Sequence, residues 1–86
     1  MTRDQFVSWA ESQGYRFDDK GHLLKKLPNG VLMRYRIIRG IVHHETRYNE
    51  ELNLWQSVSQ GKLSGLSISK DNLLIGLTPL IKETNS

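Results

Sequence analysis

The chain has no cysteine, only two prolines and no long apolar run. Each absence removes a class of function. Without cysteine there is no disulfide staple, no thiol catalysis and no cysteine-containing zinc site. The lack also fits a reducing compartment. A membrane helix needs about 20 apolar residues in succession, and no stretch approaches that. The opening MTRDQFVSWAESQG lacks the apolar core of a secretory signal. A cytoplasmic location without membrane contact is expected. The seven glycines fall singly among turn-like stretches, so no glycine-rich phosphate loop is present.

Eighty-six residues make one domain with a modest core. Residues 1–81 are expected to form that domain, with 82–86 as a flexible tail. Net charge is +3. Residues 20–47 carry seven cations against Glu45 alone, while the flanks are slightly acidic. The middle of the chain is a basic block.

Thr2 to Gln13 reads as a helix. Thr2 and Gln5 have capping-box spacing, Asp4 suits the first turn, and Gly14 supplies the stop. Phe6 and Ala10 lie one turn apart on an apolar face. Such a short helix needs a surface to pack on. Strands joined by turns follow. Tyr15 and Phe17 alternate around Arg16, and Asp18 to Gly21 turns the chain into a strand over 22–27. Pro28-Asn29-Gly30 is a three-residue hairpin loop that sets Leu23 opposite Tyr35 and Lys25 opposite Met33. Arg39-Gly40 is a two-residue loop. It pairs Ile37 with Val42, Arg36 with His43, Tyr35 with His44, Arg34 with Glu45, Met33 with Thr46 and Val31 with Tyr48.

Beyond Asn49-Glu50-Glu51, strands are expected over 54–59, 63–69 and 73–77. Gln60-Gly61-Lys62 and Lys70-Asp71-Asn72 are read as turns. Pro79 discourages a ladder because it has no N–H. The fold class is α+β: one N-terminal helix packed on an antiparallel sheet of about five or six short hairpin-connected strands. The helix is expected to pack through Phe6, Ala10, Met33, Tyr35 and Ile37.

Alternation sorts the central hairpin into two faces. The inner one is mostly apolar. The outer one gathers His22, Lys26, Arg34, Arg36, His43, Glu45 and Arg47, with Leu24, Leu32, Ile38 and Ile41 among them. Arg39 caps its turn.

His43 and His44 point to opposite faces, so they do not share a metal ion, and no zinc-protease spacing occurs. The plainer reading is that His44 packs beside Tyr35 while His43 is exposed next to Arg36. Apart from Glu45, the acids fall in turns, on the helix and near the tail, and no nucleophile elbow is present. An enzyme is not expected, nor a cofactor or small-molecule substrate. Two binding readings remain. In the preferred one, Lys26, Arg34, Arg36, Ile38, Arg39, Ile41, His43 and Arg47 form a surface that associates with another protein or with a second copy. Mixed arginine and aliphatic surface suits that role. In the alternative, the same cations contact nucleic-acid phosphates. Aromatic residues interleaved with the basic ones are missing from it, since only Trp9 and Trp55 could be exposed. The bland reading of the face is an ordinary wet side of an antiparallel sheet.

Overall fold

The structure is a computed structural model and describes residues 1–47 and 54–80. Helix α1 (Arg3–Ser12) opens the chain. Thr2 caps it: its hydroxyl accepts from the Gln5 N–H, and the Gln5 side chain accepts from the Thr2 N–H at 2.8 Å. Two of the orphan donors at the helix start are thereby satisfied.

Six strands form one antiparallel sheet: β1 (Arg16–Phe17), β2 (Leu23–Lys26), β3 (Leu32–Ile38), β4 (Ile41–Arg47), β5 (Gln56–Lys62) and β8 (Thr78–Pro79), in that order across it. β6 (Ser67–Ile68) and β7 (Leu74–Ile75) make a separate two-stranded sheet. The α+β architecture read from the sequence is the one observed. Helix and sheet enclose a core of Phe6, Trp9, Ala10, Tyr15, Leu23, Tyr35, Val42 and Leu66, with Met33 and Ile37 packed against it. Phe6 meets Tyr35 edge-on at 5.2 Å, a favoured geometry for aromatic pairs.

The central register follows turn chemistry. Leu27 and Val31 close the first loop, with the Leu27 N–H donating to the Val31 carbonyl at 2.8 Å. Leu23 then faces Tyr35, and Lys25 faces Met33. At the second loop Arg39 and Gly40 both have positive φ, 51° and 75°. That is the requirement of a tight two-residue hairpin turn. All seven pairs from Leu32–Arg47 to Ile38–Ile41 follow from it, Arg34–Glu45 included.

The C-terminal half departs from expectation. Gln60-Gly61-Lys62 is not a turn but the end of β5, paired with His43, Val42 and Ile41. Gly61 is there for room rather than for bending. A Cβ on it would lie 2.7 Å from the Gly76 carbonyl oxygen. The turn comes later, as a short 3₁₀ stretch over Leu63–Gly65, so the expected strand over 63–69 shrinks to β6. The expected strand over 73–77 shrinks to β7. Pro79 does join the ladder, opposite Ser59, but in the outermost strand, where a missing N–H is tolerated. The β6–β7 hairpin is tied to the helix. Trp9 Nε1 donates to the Asn72 carbonyl at 2.9 Å, and the N-terminal ammonium donates to the carbonyls of Leu63 and Leu66. The expected turn at Asn49-Glu50-Glu51, the Val31–Tyr48 pair and the tail at 82–86 lie outside the described residues.

Among the described residues, no helix is long and apolar enough to cross a membrane.

Candidate functional site

The register lays out the outer face in rows across the strands. Lys26, Leu32 and Arg47 form the first, and Leu24, Arg34, Glu45 and Ser57 the second. Arg36, His43 and Gln60 form the third, and Ile38, Ile41 and Lys62 the fourth, at the turn. Lys26, Arg34, Arg36, Ile38, Ile41, His43 and Arg47 therefore share one side of the sheet, and Arg39 sits at the tip of the turn.

This side is not a uniformly wet sheet face. Leu32 and Glu45 are 6% and 5% exposed. Glu45 is held by both central arginines. Arg34 lies directly across from it, with Nε and Nη2 donating to Oε1 at 3.0 and 2.8 Å. Arg36 lies diagonally across and donates from Nε to Oε1 at 2.6 Å and from Nη2 to Oε2 at 2.8 Å. Diagonal neighbours on a sheet are within reach of long side chains. Burial works to raise the Glu45 carboxyl pKa. The hydrogen bonds and charges of Arg36 and Arg34 outweigh it and hold the carboxyl below its ordinary range. The arginines most prominent in the sequence thus lock each other through one carboxylate, and the group's net charge is one rather than two.

Trp55 completes the centre. Its ring lies 3.9 Å from the guanidinium carbon of Arg34 and 5.5 Å from that of Arg47, the geometry of a cation–π stack. A β-bulge brings it there. His44 pairs with Ser59 and Glu45 with Ser57, so Val58 is an extra residue in β5. Without that residue the alternation would send Trp55 to the helix side. No glycine or proline marks the bulge, which is why strict alternation misses it. Trp9, the other candidate for an exposed aromatic, is 9% exposed and belongs to the core. Among the described residues, Phe17 is the aromatic left in the open, 45% exposed with Arg3 over its ring at 5.8 Å.

The histidines separate as alternation requires. His44 stacks on Tyr35 at 4.3 Å on the helix side, and burial lowers its pKa against a smaller raising effect from Glu45. His43 is half-buried on the outer face beside Arg36. His22 is a correction. It precedes β2 instead of joining the outer rows. It lines a cavity of about 60 Å³ with residues of the helix side, among them Arg3, Val7, Tyr35 and Ile37. Among the described residues, no three His, Asp or Glu side chains cluster closely enough to hold a metal ion.

The turn end has a different character. Ile38 is 42% exposed, Ile41 is half-buried, and Arg39 and Lys62 are exposed. Among the described residues, no acidic side chain pairs with Arg39 or Lys62. A second concavity, an open groove of about 770 Å³, runs between α1 and the β6–β7 hairpin, lined by residues including Ser8, Trp9, Leu66 and Ile68. It presents no cluster of charged groups or nucleophile–base pair.

No family model matches the chain, and neither a curated protein nor a solved structure matches it.

Proposed function

We propose that this chain is a non-enzymatic binding module that associates with another protein, or with a second copy, through the outer face of the β3–β4 hairpin. The observation that carries the reading is the Glu45 clamp. It neutralises part of the basic centre and holds Arg34 under Trp55, while Ile38 stays exposed at the turn. A tryptophan, ordered arginines and an exposed isoleucine beside a half-buried one, within a charged rim, have the composition of a protein-binding patch. A cytoplasmic location belongs to this reading and is supported by the absence of cysteine.

Contact with nucleic-acid phosphates is the second reading. One observation favours it: the bulge sets an aromatic ring, Trp55, on the basic side. Against it, both central arginines already direct their donors at Glu45.

Two measurements separate the readings. Fluorescence anisotropy with labelled duplex and single-stranded oligonucleotides across a salt series is expected to show no saturable binding at low salt. Tight binding that falls steeply as salt rises would favour phosphate contact and contradict the first reading. Affinity capture with the wild type and with Ile38→Asp is expected to show a partner retained by the first and lost by the second. Identical capture by both would remove the outer face from the account.

A further inference from the structure

We infer that the turn end of this face docks an acidic segment of another protein, one carrying carboxylates around an aliphatic or aromatic anchor. The inference rests on the protein-binding reading above and names the partner's chemistry.

Charge complementarity is the first support. Arg39 and Lys62 are exposed, and His43 lies in the next row towards the sheet centre beside Arg36. Among the described residues, the one acid in the outer rows is Glu45, whose two oxygens are both held by arginines. Carboxylates that meet these cations would therefore come from outside the described residues. Ile38 and Ile41 pair at the middle of the cluster, and Ile38 is 42% exposed. They offer an apolar contact where a side chain of the partner would be buried.

Backbone strain supplies an independent support. Arg39 holds φ at +51° in a turn whose first position favours asparagine, aspartate or glycine. A long cation sits at the tip of the hairpin where a smaller residue would relax the chain. Strain of this kind is characteristic of binding positions.

The same features disfavour other occupants. A two-fold contact between copies at this end would set Arg39 and Lys62 against the same cations. Nucleic acid would gain from rings among the cations, but aliphatic residues stand there. The Trp55 ring lies over Arg34, two rows away, or roughly 14 Å at about 3.4 Å per residue.

The test is selection of short peptides from an unbiased phage-displayed library on the intact protein. Synthetic copies of the selected peptides are then titrated against the wild type, Arg39→Glu, Lys62→Glu and Ile38→Asp. Thermal melting confirms that each variant is folded. The expected result is peptides enriched in Asp and Glu around an apolar residue, bound at least about tenfold more weakly by either charge reversal. Acidic peptides that bind both reversals as tightly as the wild type would overturn the inference. Peptides without acidic enrichment that lose binding to Ile38→Asp would overturn the acidic partner and leave the protein-binding face intact. Peptides whose binding is untouched by all three substitutions would overturn both.

Discussion

Glu45 sits where alternation puts solvent, yet it is buried and accepts hydrogen bonds from two arginines. A buried carboxylate so engaged is costly to break from one side, because its removal leaves cations without a partner in a partly buried place. Glu45→Gln keeps the shape and removes the charge. Its expected cost is roughly 2–4 kcal/mol, read by urea denaturation. A change below about 0.5 kcal/mol, the scale of an ordinary surface substitution, would contradict the clamp. Acid should weaken the fold in two stages. The pKa of His44 is lowered on folding, so its contribution is present above the ordinary value of 6.5 and is lost as pH falls through the folded value. The Glu45 pKa is also lowered, so its contribution is present above 4.5 and is lost further down. His44→Phe keeps a ring on Tyr35 and removes the first titration. Its stability should therefore fall less between pH 7 and about pH 5 than that of the wild type. An equal fall in both would show that His44 is not the group responsible. The pairing of Arg34 with Glu45 was legible from the Arg39-Gly40 loop. The sharing of that carboxylate with Arg36, and the ring above Arg34, were not, because diagonal reach and a bulge leave no mark in an alternating pattern.

The hairpins separate what the sequence could show from what it could not. Pro28-Asn29-Gly30 and Arg39-Gly40 set the register of three strands, since loop length and positive φ admit few alternatives. Gly61 misled for a physical reason: glycine serves both tight turns and close backbone approach, and here it serves the second. Gly61→Ala would drive a Cβ into the Gly76 carbonyl and should cost about 1–3 kcal/mol in chemical denaturation. An unchanged midpoint would mean that β5 and the Gly76 segment are not in close contact. The Arg39-Gly40 turn makes the opposite prediction. Arg39→Asn relaxes a positive φ and should stabilise the fold by about 0.5–1 kcal/mol. The same substitution should weaken partner binding, a trade of stability against function. Loss of stability on that substitution would show that the arginine side chain supports the fold.

At the scale of the whole molecule, the sheet divides the labour. One side carries the helix and the aromatic core. The other carries a clamped centre and a cationic, aliphatic turn end. The groove between α1 and the β6–β7 hairpin is the competing surface, with Ile68, Leu73 and Ile75 exposed on that hairpin. The fold class could be read from alternation, and so could the basic side, apart from His22, which lies elsewhere, and Trp55, which the bulge adds. The groove could not, because it depends on the docking of two very short strands through Trp9, Asn72 and the chain's own N-terminus. The most direct test of the central claim is amide NMR of isotope-labelled protein titrated with a selected peptide. The account predicts shift changes concentrated at Ile38, Arg39, Ile41 and Lys62, with Ser8, Trp9 and Ile68 unmoved. Changes confined to the helix groove, with the turn silent, would contradict it.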